Sequence, residues 1–67
     1  MANRIAGYRR MLGMNQKDLA KDFGISVQAY SAKERGVTSF KDSEKARFKE
    51  LLKTLFPDIT IDEIFFD

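Results

Sequence analysis

The sequence predicts an all-α fold: five short helices in one domain covering residues 1–67. Three observations carry that prediction. Apolar residues recur at three- and four-residue spacing, and no stretch alternates long enough to suggest a strand. The periodic runs are bounded by helix-capping and helix-ending residues, with Asn15, Ser26 and Thr60 at starts and Gly13, Gly24, Gly36 and Pro57 at ends. No repeat, low-complexity tract or linker divides the chain.

The first helix is expected from Asn3 to Leu12, with Ile5, Tyr8 (or Arg9) and Leu12 on one face and Gly13 just past its end. Asn15 then caps a second helix, in which Gln16 is the first residue and Asp18 faces the positive helix end. Leu19, Ala20 and Phe23 form its apolar stripe, and Gly24 stops it because glycine readily takes positive φ. Ile25 falls in the turn. Ser26 caps a third helix that ends near Arg35, with Gly36 behind it. The segment VTSFKD reads as a loop, after which Asp42 or Ser39 caps a fourth helix running to Phe56 and ended by Pro57. Its apolar set is Ala46, Phe48, Leu51, Leu52 and Leu55. The capping box Thr60-Ile-Asp-Glu63 opens a short last helix. Ile61, Ile64 and Phe65 share one stripe there, suited to the core between the first and fourth helices, and Phe66 lies about 100° away from it.

Composition narrows the chemistry. The chain has no cysteine and no histidine, which removes disulfides, thiolate zinc sites and Cys/His nucleophile pairs. No cofactor or metal site is expected. The core must close by packing alone, and 43% hydrophobic residues with six phenylalanines suffice for that. No apolar run reaches the roughly 18 residues of a membrane span, and MANRIAGYRR lacks the apolar region of a signal peptide, so a cytoplasmic location is expected. The charges are unevenly placed: residues 1–53 carry all twelve Lys and Arg against six acids, and residues 54–67 carry four acids and no base. A basic body suits a polyanionic partner, and an acidic tail should face away from it; ordinary solvated helix faces are the alternative.

The stretch NQKDLAKDFGISVQAYSAKERG places two helical patterns either side of a glycine-bearing connection, the helix-turn-helix arrangement. Ala29, Tyr30, the Lys33 stem and Ile25 should face inward, and Val27, Gln28, Ser31 and Ala32 outward. Short and polar groups at the tip of such a helix can approach base edges in a DNA major groove. The Gln28 amide matches the N6/N7 edge of adenine, and Val27 and Ala32 can touch a thymine methyl.

The run RRMLGMNQKDLAKDFGISVQAYSAKERG resembles the Cro/repressor class of helix-turn-helix proteins, through Arg9, Gly13, Met14, Asn15, Gln16, Leu19, Ala20, Gly24, Ile25, Ser26, Glu34 and Gly36. In length it is similar to small temperate-phage Cro proteins and modulators of repression. The resemblance implies a compact five-helix, lambda-repressor-like domain that binds double-stranded operator DNA, commonly as a dimer. It implies that Gln28 reads bases, with Val27, Ser31 and Ala32 beside it. Gln16 would bond a phosphate and brace a glutamine on the third helix. Arg35 and the following loop (Val37, Thr38 and Lys41) would grip the DNA backbone, with Arg10 or Arg9 at a flanking phosphate and Ser26 at the helix start. Plainer roles stand beside these: Gln16 and Ser26 as helix-end residues, Tyr30 in the core, and Lys17, Lys21, Lys45, Lys49 and Lys53 as solvated surface. Arg9 is expected to pair with Glu34, the family's usual internal ion pair.

Two departures from the family pattern stand out. Lys33 occupies a position where the family packs Trp, Leu or Ile, so its stem should cover apolar surface while its ammonium reaches water. The reading face is also poor in hydrogen-bonding groups. That leaves a protein-binding alternative: an antirepressor that occludes a phage repressor's DNA-binding domain, using Phe66 with Phe65 and Ile64. A homodimer or a heterocomplex with a repressor would use the same end. An antitoxin would share the fold but usually adds a toxin-binding segment that is missing here. An enzyme is not expected, since no phosphate-cradling glycine loop and no clustered acid–base pair is present.

Overall fold

Local capping chemistry sets where each helix begins and stops. In the computed structural model, which describes residues 4–66, α1 is Arg4–Met11, α2 Gln16–Phe23, α3 Val27–Glu34 and α4 Asp42–Leu52. Asp62–Phe66 forms a single π-helical turn, α5. No strand occurs among the described residues. The expected start of the first helix at Asn3 lies outside them.

Asn15 caps α2 in a reciprocal box. Its side chain accepts from the Asp18 N–H at 2.8 Å, and the Asp18 carboxylate accepts from the Asn15 N–H at 3.0 Å. Gly24 ends the helix at φ 72°, a left-handed conformation that any side chain would strain. Only Ile25 and Ser26 then separate Gly24 from α3. The Ile25 N–H reaches back to the Ala20 carbonyl, and the Ser26 hydroxyl accepts from the Ala29 N–H, so the turn is tied to both helices. The Thr60/Glu63 box also forms, with Thr60 Oγ1 accepting from the Glu63 N–H and Glu63 Oε1 accepting from the Thr60 N–H.

Three expectations about the second half need correction. The cap of α4 is neither Ser39 nor Asp42 but Lys41, in extended conformation, whose N–H donates to Glu44 Oε1 at 2.8 Å. A reach-back carboxylate makes a capping side chain unnecessary. The helix ends at Leu52 rather than Phe56, and the chain continues in a tight turn in which the Phe56 N–H bonds the Leu52 carbonyl. Pro57 lacks an N–H, and its ring drives Phe56 out of helical conformation. Leu55, assigned to the apolar stripe, is therefore exposed, as is Ala46. Finally, Ile59 enters the core and Ile61 stays half-buried, because one π turn cannot aim three residues at the same surface.

The core consists of Leu19 and Ala20 of α2, Tyr30 of α3, Phe48 and Leu52 of α4, Ile59, and Ile64 of α5. Ile5, Tyr8 and Leu12 pack against it from α1 and its C-terminal turn. Phe40, placed in a loop by sequence, is half-buried and bridges the two halves. Its ring lies 6.4 Å from Phe23, 6.1 Å from Tyr30 and 5.2 Å from Phe65, within the range of favourable aromatic pairs. Burial of this set holds α2 and α3 against α4 and leaves one face of α3 uncovered.

Candidate nucleic-acid interface

At about 100° per residue, Val27, Ser31, Gln28 and Ala32 fall within an arc of about 140° on α3. Val27 and Gln28 are exposed, and Ser31 and Ala32 are half-buried. The inner side carries Tyr30, fully buried; Glu34, 8% exposed, follows at its edge, about 20° from Val27. The structure thus brings the four expected base-reading residues together on the free face.

Behind that face sits a four-residue network centred on Glu34. Arg9 of α1 forks onto it, Nε to Oε2 at 2.9 Å and one terminal nitrogen to Oε1 at 3.3 Å. The Tyr30 hydroxyl donates to Oε2 at 2.7 Å, and Gln16 Nε2 of α2 donates to Oε1 at 3.0 Å. Burial is the largest single influence on Glu34 and would raise its pKa. Hydrogen bonds from Arg9, Gln16 and Tyr30, with the Arg9 charge, outweigh it and hold the carboxyl below its ordinary value. The Tyr30 hydroxyl is pushed up, first by burial and then by its bond to Glu34. Arg9 is raised mainly by its bond to Glu34. The Arg9–Glu34 pair expected from the family resemblance is present. Gln16, however, braces Glu34 and not a glutamine on α3, which commits one of its two amide hydrogens.

Lys33 departs from expectation. Its ammonium finds a carboxylate: Nζ lies 2.6 Å from Glu44 Oε1, with the two side chains 10% and 6% exposed. Glu44 feels burial first, which raises its pKa. Bonds from Lys33 Nζ and the Lys41 N–H, with the Lys33 and Lys41 charges, bring it below its ordinary value. Sequence reasoning missed Glu44 altogether. The signal available was Lys33 itself, since a cation on a core-facing position requires a carboxylate opposite it. Arg47 likewise forks onto Asp22, at 2.8 and 2.9 Å, joining α4 to the end of α2.

The expected phosphate-contacting residues surround the free face with differing capacities. Arg10, Arg35 and Lys41 are exposed and make no ion pair among the described residues. Ser26 uses its oxygen as a cap, which leaves its hydroxyl proton able to donate. The N–H groups of Gly36, Val37 and Thr38 all turn back onto carbonyls of Lys33 and Ala32. What this loop leaves for a partner is the Thr38 hydroxyl and the Lys41 ammonium, not those amides. At the other end of the chain, Ile64 is 1% exposed and belongs to the core, and Phe65 packs on Phe40 and Phe48. Ile64 therefore offers no surface, and the half-buried Phe65 offers only part of one. Phe66 is 65% exposed, with the Lys45 ammonium 4.4 Å from its ring centroid.

Two helices joined through a left-handed glycine, with one face of the second left free, define a helix-turn-helix protein. A family model described as helix-turn-helix matches residues 5–44, more than half of the chain, and the chain belongs to this Cro/repressor-type family. It is a DNA-binding domain of the transcription-regulator class. No curated protein and no solved structure gives a significant match. Among the described residues, no helix is long and apolar enough to cross a membrane.

Proposed function

We propose that the protein is a Cro-like, sequence-specific repressor that inserts α3 into the major groove of operator DNA. The observation supporting this reading is the contrast between the two sides of α3. One is fixed by Tyr30 and the Glu34 network, and the other presents Val27, Gln28, Ser31 and Ala32 with short side chains around a single long amide. Gln28 then pairs with an adenine edge, Val27 and Ala32 meet thymine methyls, and Arg10, Ser26, Thr38 and Lys41 hold phosphates. Gln16 acts mainly by setting α2 against α3.

Anisotropy titration against duplexes from the flanking DNA of its own gene tests this. Affinity falls linearly on a log–log salt plot, with a slope of about −0.9 per phosphate neutralised. Gln28→Ala relaxes preference at one base pair by about 1–3 kcal/mol. Unchanged preference in that variant refutes the assignment, and no binding at low salt refutes the repressor reading.

A second reading, an antirepressor that binds another regulator's DNA-binding domain, is favoured by the exposed apolar side chains of Met11, Leu55, Phe56 and Phe66. Binding to the repressor encoded beside it, without binding to duplex DNA, is the result that supports it.

A further inference from the structure

We infer that Arg35 reads a guanine base, in place of the DNA-backbone contact that its family resemblance implies. This rests on the DNA-reading role of α3 proposed above and adds the strong polar group that face otherwise lacks. Continuing the helical turn, Arg35 falls about 80° round from Val27, in the middle of the arc from Val27 to Ala32. As the C-cap of α3 it still has helical backbone, with φ −80° and ψ −6°, so the wheel holds at this position.

The side chain is exposed but held against the helix. Arg35 Nε donates to the Ser31 carbonyl at 3.3 Å, which runs the chain back along the exposed face toward the tip of α3. The neighbouring positions on this face, Ser31 and Ala32, carry short side chains. Using Nε in this way leaves the two terminal nitrogens of the guanidinium, four N–H groups, without a protein acceptor among the described residues. That rigid fork matches the O6 and N7 acceptors of guanine in one fixed plane, a geometry a flexible ammonium does not hold.

The other arginines are differently placed. Arg9 and Arg47 are each forked onto carboxylates, at Glu34 and Asp22. Arg4 donates to the Glu63 carbonyl, and Arg10 stands on α1. Arg35 is the only arginine between residues 10 and 47. It has no carboxylate partner among the described residues, so engaging a base breaks no ion pair.

The test is selection from a fully randomised duplex pool by the full chain, wild type and with Arg35→Lys and Arg35→Ala. Circular dichroism melts establish that all three are folded. The wild type enriches a site with an obligatory guanine. Arg35→Lys keeps the positive charge and the salt slope but loses about 5- to 150-fold in preference for that guanine. Replacing it by 7-deazaguanine in the enriched site weakens the wild type and leaves Arg35→Ala unaffected. If Arg35→Ala weakens every sequence alike and lowers the salt slope by about one, Arg35 is a phosphate contact and the inference fails. It also fails if Arg35→Lys selects the wild-type site unchanged. A wild type that enriches no sequence at all removes the DNA-reading role of α3 and the Arg35 assignment together.

Discussion

Replacing Lys33 by methionine removes the ammonium from a pair in which the two side chains are 10% and 6% exposed, and keeps the apolar stem. Glu44 is left buried with its bond from the Lys41 N–H alone. Deleting one partner of a buried ion pair costs about 3–5 kcal/mol, and the residual access at this site places the cost near the lower end, about 3. For a domain of this size each kcal/mol moves the melting midpoint by roughly 4–8 °C, so Lys33→Met should melt roughly 12–24 °C lower. The paired variant Lys33→Met/Glu44→Gln removes both charges while keeping an acceptor for the Lys41 N–H, and most of the loss should return. Circular dichroism melts of the wild type, both single variants and the double variant give the coupling directly. The difference should persist at about 1 M salt, where the Debye length of about 3 Å suppresses exposed pairs but not buried ones. A Lys33→Met midpoint within roughly 4 °C of wild type, equivalent to less than about 1 kcal/mol, would refute this reasoning. So would strictly additive single losses.

Two further outcomes follow from the same coordinates. Glu34 and Glu44 both sit below the ordinary value of 4.5 when folded, so their stabilisation is complete above about pH 4.5 and is lost as pH falls through their lowered values. Melting midpoints measured down an acid series should therefore be flat above that point and fall below it; a midpoint that rises on acidification contradicts both assignments. At the far end of the chain, Phe65→Ala should destabilise by about 2–3 kcal/mol, less than the 3–5 of a fully buried phenylalanine. Phe66→Ala should stay within about 1 kcal/mol, the scale of an exposed cation–π contact, and should weaken self- or hetero-association in sedimentation. Equal melting losses in the two variants would put Phe66 in the core.

What the sequence disclosed followed the range of the forces involved. Asn15, Gly24, Ser26 and the Thr60/Glu63 pair act within four residues, so their roles could be read directly from spacing. The stripe of α2 and the inward turn of Tyr30 were equally plain, since a helical period reports a face without needing to know what covers it. Phe40 was not legible, since it is defined by partners far along the chain and a loop position gives no sign of them; Glu44 showed only indirectly, through the inward-facing Lys33 that needs a carboxylate. Lys33 shows the limit most clearly. Its inward direction was readable, but whether its ammonium finds water or a carboxylate depends on where α4 lies. On the free face of α3, periodicity grouped Val27, Gln28, Ser31 and Ala32 as the structure does. The backward course of Arg35 toward Ser31 needed atomic positions.

The way α3 is secured also bears on fidelity. A rod pinned at one end can tilt, and one pinned at both ends keeps only rotation about its own axis. The Gly24–Ser26 turn pins the tip of α3, and Glu34, its last residue, pins the other end to α1 and α2. Residual spin is then opposed by the Tyr30 ring, packed against Phe23 and Phe40, and by Lys33, tied to α4. With side chains reaching about 5–6 Å from the axis, a spin of about 10° carries an exposed group sideways by about 1 Å, enough to spoil a paired hydrogen bond to a base edge. The Lys33–Glu44 pair is thus an angular stop as well as a source of cohesion. Under the proposed role of α3, loosening it should blur which base is preferred at temperatures where the chain is still fully folded.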